Sequence, residues 1–205
     1  MRLIVTTMLF LAGSVLAMDA PVTQRTFAEV TAQLAAPAVL RGNFMQARKI
    51  ALLQNPLLSS GRFILSDKGL YWRQDSPIPA LMIADDERLM QQVDDGPLQN
   101  IDTVKNPVVL SFSNSFLSIF RGSEADLREH FEVAFSGDAD SWTIHLTPIS
   151  YPMSEAIDSI ILEGRDYIEM ITVSSRSSDE TTISFTDLNT DPDQLTDDEL
   201  ALYAR

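Results

Sequence analysis

The sequence predicts an α+β fold: a strongly curved, open antiparallel sheet with a few helices packed over it. Most of the chain alternates apolar and polar residues at strand period, in segments separated by turns such as Asp67-Lys68-Gly69, Gly137-Asp138 and Gly164-Arg165-Asp166. Helical spacing recurs in only two or three segments. The alternating segments number about ten, and a sheet of that size must close, split or be covered by other elements.

The N-terminus reads as an export signal. Arg2 supplies a short positive region, Leu3 to Leu11 is almost wholly apolar, and Gly13-Ser14-Val15-Leu16-Ala17 places small residues where a Sec signal peptidase needs them. Cleavage is expected after Ala17, because the apolar run is shorter than the roughly 20 residues that span a bilayer. No Cys follows that point, so N-terminal lipidation is not expected. The processed chain has 205 − 17 = 188 residues, enough for one domain with a full core, expected over 18–190, followed by an acidic stretch over 191–205.

The first helical signal is Thr26-Phe27-Ala28-Glu29, a capping box, with Phe27, Val30 and Leu34 on one face and an end near Pro37. In the first strand Leu40, Gly42, Phe44 and Gln46 alternate with Arg41, Asn43, Met45 and Ala47. Gly61 to Ser66 forms a second strand, and Leu70-Tyr71-Trp72-Arg73 returns from the Asp67-Lys68-Gly69 turn. Ala80 to Ala84 and Arg88 to Val93 flank the acidic turn Asp85-Asp86-Glu87. Pro107 opens a second helical stretch, Val108 to Phe120. Phe131 to Phe135, Trp142 to Thr147, Ser159 to Leu162, Tyr167 to Ser174 and Thr181 to Phe185 then complete a run of antiparallel strands. Leu195 to Tyr203 carries two readings, a short helix capped by Thr196 or a mobile tail.

Pro56-Leu57-Leu58-Ser59-Ser60-Gly61 and Gly69-Leu70-Tyr71-Trp72, preceded by the strand Gly42-Asn43-Phe44-Met45-Gln46, resemble signatures of the periplasmic outer-membrane lipoprotein carrier (LolA) family. The resemblance is sharpest over 42–79 and continues as strand pattern through Ser175–Phe185. It implies an incomplete barrel, or open half-barrel, under a helical lid that holds acyl chains. The lining it implies is Phe44, Phe63, Leu65, Leu70, Trp72 and Met82. Met90, Phe131 and Phe135 extend that lining, with Phe112 and Phe116 from the lid. An ordinary packed core is the alternative for all of these, and for the methionines Met45, Met82, Met90 and Met170 in particular. Trp72 has equal claims as lining and as packing. Gln46 is expected to bond neighbouring backbone at the barrel rim, with direct ligand contact as the alternative. The resemblance also implies an arginine latch shortly before the Trp strand, but here Ser66 to Trp72 contains only Lys68 as a basic residue, so no latch is carried over. Partners implied are an acylated lipoprotein or other lipid cargo, an inner-membrane donor and an outer-membrane acceptor, with the protein itself a monomer.

The formal charge is −14, and −15 once Arg2 is removed with the leader, which disfavours binding to nucleic acid or an anionic surface. With no Cys there is no disulfide and no thiol chemistry. Neither histidine, His130 nor His145, has a nucleophile or a metal-ligand pattern beside it, so no catalytic residue, cofactor or metal is expected. Asp85-Asp86-Glu87 and Asp94-Asp95-Gly96 lack calcium-loop spacing and read as turns. The reading from sequence is a carrier for acylated cargo. Its main competitor is a binding or sensor module with a filled core that docks on an envelope partner through its convex face, and a lipid-modifying enzyme would need a nucleophile and base that the sequence does not offer.

Overall fold

A computed structural model describes residues 24–85, 88–101, 117 and 124–204. The proposed signal peptide, the helical stretch Val108 to Phe120 except Leu117, and Asp86-Glu87 lie outside the described residues. One sheet of eleven antiparallel strands organises the rest. The N-terminal meander is β1 (Val39–Lys49), β2 (Leu57–Ser66), β3 (Gly69–Ser76), β4 (Ala80–Ala84), β5 (Leu89–Val93) and β6 (Gln99–Asn100). The C-terminal meander is β7 (Phe131–Gly137), β8 (Trp142–Pro148), β9 (Ile157–Gly164), β10 (Ile168–Ser175) and β11 (Glu180–Asn189). The two join where β1 pairs with β11, giving the order β6-β5-β4-β3-β2-β1-β11-β10-β9-β8-β7 among the described residues.

Side-chain period fixes the two faces. Phe135, Ile144, Leu162, Ile171 and Ile183 stand opposite one another across β7 to β11, and that row continues into Gln46 and Ser59. The neighbouring row, Ala134, His145, Ile161, Thr172, Thr182 and Ala47, points the other way and is half-buried or exposed. Strong curvature shows in the aromatic contacts. Trp72 on β3 and Phe185 on β11 are three strand intervals apart, roughly 14 Å in a flat sheet, yet their ring centroids are 6.2 Å apart. The first face is therefore concave and the molecule is an open half-barrel.

Two glycines are demanded by this geometry. Gly69 closes the β2–β3 turn at φ +103°, in the left-handed region only glycine enters freely. A Cβ on Gly61 would lie 1.9 Å from the Arg73 carbonyl oxygen, so the last residue of the Pro56–Gly61 signature lets β2 and β3 approach.

Among the described residues three short helices with defined bounds belong to the concave side: α1 (Phe27–Leu34), α2 (Glu124–His130) and α3 (Met153–Ala156). The capping box expected for α1 is present, with Thr26 accepting from the Glu29 amide and Glu29 accepting from that of Thr26. Phe27, Val30, Leu34, Leu117, Leu127 and Met153 pack into the concave core. The convex face carries a fourth helix, α4 (Asp197–Tyr203), with its own Thr196–Glu199 capping box. It covers a second apolar cluster of Tyr71, Leu81, Ile83 and Met90. Arg41 grips this segment, donating to Glu199 at 2.6 and 2.8 Å and to the carbonyls of Pro192 and Gln194. The buried Tyr203 donates its hydroxyl to the Ile64 carbonyl at 3.0 Å. Of the two sequence readings for Leu195 to Tyr203, the helix is the one observed.

Candidate functional site: the concave face

The concave face is built by strand alternation, which sends every second side chain inward. Phe44 on β1 is buried and stacks on Trp72 with centroids 3.8 Å apart. Phe63 lies 6.2 Å from Trp72 and 5.2 Å, edge-on, from Phe185. Four aromatic rings thus converge from β1, β2, β3 and β11, the seam of the two meanders. Such pairs add about 0.5–1.5 kcal/mol each beyond the area they bury.

Eight of the lining residues read from the sequence lie on this face. Phe44, Phe63, Leu70 and Phe131 are buried, and Leu65, Trp72, Met82 and Phe135 are half-buried against the same core. Phe112 and Phe116 lie outside the described residues. Met90 is a correction. It pairs with Ile83, which pairs with Tyr71, so it stands on the convex face beneath α4. Leu89 and Met90 are both apolar, and alternation alone did not choose between them. The inward residue is Leu89, opposite Ala84. Phe185, Ile183 and Ile171 belong to the same surface and were not singled out. Their period-two spacing was readable, but which parity faced inward depended on the β1–β11 register.

The roof is α1 with α2. The Phe27 ring is 5.8 Å from that of Phe135, and the Arg128 guanidinium from α2 sits 5.2 Å over the Phe27 ring. Polar tethers hold α1 to the β9–β10 turn: Arg25 donates to the Arg165 carbonyl at 2.9 Å, and Gln33 donates to the carbonyl and carboxylate of Asp166. Gln33 in turn accepts from Arg25.

A polar spot near the seam interrupts the apolar surface. Gln46 and Ser59 face each other across β1 and β2, next to Phe44 and Ile183. The Ser59 hydroxyl is buried, with no hydrogen-bond partner among the described residues. No hydrogen bond from the Gln46 side chain is found among the described residues, so the backbone-bonding role expected for it is not seen there. These two side chains can donate to a carbonyl presented by a guest. Elsewhere, His130 ends α2 exposed, and His145 is half-buried on the opposite face from Ile144 and Leu146. Among the described residues no three His, Asp or Glu side chains converge as metal ligands.

An open half-barrel with a largely apolar inner face under short helices defines the class of proteins whose sheet offers an apolar surface to a helical lid. The sequence then places the chain within that class. Residues 19–186 match the family described as outer membrane lipoprotein carrier protein LolA-like, and the chain belongs to this family. Three solved structures are similar. A DUF1329 family protein from Desulfovibrio piger is 11% identical with a TM-score of 0.47, covering 83% of this chain and 92% of its own. An outer membrane lipoprotein-sorting protein domain from Vibrio parahaemolyticus is 10% identical with a TM-score of 0.45, covering 86% and 97%. A LolA superfamily protein from Nitrosomonas europaea is 9% identical with a TM-score of 0.39, covering 84% and 94%. No curated protein matches the sequence. The family assignment rests on the sequence match.

Proposed function

We propose that the protein is a periplasmic carrier that reversibly buries the acyl chains of a lipoprotein or other lipid-like cargo against its concave face. The observation that carries this reading is the covering of that face. Helices on one face of an antiparallel sheet are a common way to cover it; here the covering helices are short and held partly by surface polar tethers over aromatic and aliphatic side chains. Lifting such a roof exposes surface on which each buried CH₂ of a guest contributes about 0.8 kcal/mol. Gln46 and Ser59 would take the polar end of the acyl group. Export by the N-terminal segment, with cleavage after Ala17, fits this role, as does a monomer passing cargo from an inner-membrane donor to an outer-membrane acceptor. The family is named for carriage, and we assign the protein no catalytic step.

The burial of Phe44 and Phe63 favours one other reading, a docking module whose core stays filled. Titration with a hydrophobic fluorophore at neutral pH, followed by displacement with a long-chain acyl ligand, separates them. A carrier binds the dye, releases it to the ligand and keeps one cooperative unfolding transition, and Met82→Glu, half-buried on the concave face outside the ring cluster, weakens binding. A folded wild-type chain that takes up neither dye nor ligand overturns the carrier reading.

A further inference from the structure

The two ends of the half-barrel differ in chemistry. One end holds the β2–β3, β7–β8 and β9–β10 turns, whose exposed charged residues are Asp67, Lys68, Asp138, Asp140, Arg165 and Asp166. The opposite end holds the β1–β2 connection, the β3–β4 turn, the end of β5 and the segment after β8. Eleven large apolar side chains are exposed among the described residues, and eight of them lie at this second end. Only Met45, Met170 and Leu200 lie elsewhere. Scattered exposed leucines are ordinary, but a cluster at one end is not.

The β1–β2 connection carries the densest part. Leu52 is 94% exposed, and Leu53, Leu57 and Leu58 are exposed beside it. Ile78 projects from the β3–β4 turn, and Tyr151, 81% exposed, from the segment after β8. At the base of the leucine tip stand Arg48 and Lys49, whose side chains remain half exposed or more while reaching Asp179 at 3.4 Å and Glu180 at 2.7 Å. An aliphatic tip with two partly exposed cations behind it, each beside a carboxylate it can exchange for a lipid phosphate, and a tyrosine exposed at the same end fit a phospholipid surface.

We propose that this apolar end docks on a phospholipid bilayer, with Leu52 and Leu53 entering the acyl boundary and Arg48 and Lys49 meeting lipid phosphates. The overall charge selects the kind of surface. A chain at −14 is repelled by anionic lipid, so the fitting surface is zwitterionic and the attachment is apolar and reversible. Docking at this end presents the Gln46–Ser59 half of the concave face toward the membrane, because both lie on the β1–β2 hairpin nearer to that end. The proposal goes beyond carriage and stands without it, since attachment is read with no cargo present.

The test is co-flotation of the leaderless, processed chain with phosphatidylcholine vesicles, compared with phosphatidylglycerol vesicles, for the wild type and for Leu52→Asp/Leu53→Asp. Both side chains are exposed, so the double variant keeps the thermal unfolding of the wild type. The expected result is partition onto phosphatidylcholine that survives high salt, weaker partition onto phosphatidylglycerol, and a loss on the order of a hundredfold in the double variant, the scale of two leucines no longer buried. A Leu52→Trp variant adds a depth reading: its emission shifts to the blue on vesicles and is quenched by lipid brominated in the acyl chain. No partition of the wild type onto phosphatidylcholine, or partition unaffected by the double substitution, overturns the proposal and leaves this end to a protein partner.

Discussion

At the scale of single residues, the concave face turns on a few positions in the β1–β3 strands. Ser59 is the clearest. A buried hydroxyl without a hydrogen bond costs about 1–3 kcal/mol, and among the described residues none bonds the Ser59 hydroxyl. Ser59→Ala is therefore expected to raise stability in urea unfolding by about 1 kcal/mol while weakening acyl-ligand affinity. A loss of stability would mean the hydroxyl is satisfied within the fold and has no polar guest to wait for. Gly61 has the opposite character. A methyl group there meets the Arg73 carbonyl oxygen at 1.9 Å, and backbone cannot yield as a side chain can. Gly61→Ala is expected to cost more than about 2 kcal/mol, or to leave the chain insoluble, and a neutral result would contradict the β2–β3 packing described here. Both residues sit in the Pro56–Gly61 segment, so this signature was legible in the sequence. What was not legible was why its residues matter, because the reasons lie across the strand in β1 and β3.

At the scale of elements, α4 shows how far local signals reach. Its capping box could be read from Thr196 and Glu199 alone. Its docking could not, because the partners are Arg41, Ile64 and Tyr71, more than a hundred positions earlier. The same distance explains the misplaced Met90, whose face is set by a helix from the other end of the chain. The helices α2 and α3 were missed for a different reason: each is two turns or fewer, too short to show a period. The Arg41 guanidinium holds Glu199 down to about 2. A depressed carboxylate contributes stability that is present above its ordinary value of 4.5 and is lost as pH falls toward 2. Solvent screening of this partly exposed pair limits that contribution to on the order of 1 kcal/mol. Chemical denaturation at several pH values should show the loss below 4.5, and Glu199→Gln should flatten it. Burial pushes Tyr203 up to about 12, so the neutral phenol stabilises the fold until pH passes the ordinary value of 10, and stability falls above that. Tyr203→Phe removes the alkaline loss and costs about 1 kcal/mol at neutral pH, through the hydrogen bond to Ile64. An alkaline profile identical to the wild type would show that Tyr203 is not the group titrating.

At the scale of the whole molecule, two meanders share one seam, β1 with β11, and both depend on the rings of Phe44, Phe63, Trp72 and Phe185 behind it. With no disulfide in the chain, burial across this seam holds the halves together, and unfolding should be a single transition. The curved antiparallel sheet was foreseeable because polar and apolar residues alternate cleanly in strands such as Trp142 to Thr147. The strand order was not, since pairing the first strand with the last leaves no local trace. The same architecture gives the account its central claim: the inner face is a surface for a removable apolar guest. Native mass spectrometry of the processed chain, purified gently from the periplasm of a cell that makes it, tests this most directly when joined to lipid analysis of the extract. The account predicts a discrete adduct that is weakened with Met82→Glu, its mass distinguishing a triacylated lipoprotein from a smaller lipid. A bare mass that persists after incubation with acyl ligands would contradict it, leaving the half-barrel a filled core and the protein a docking module.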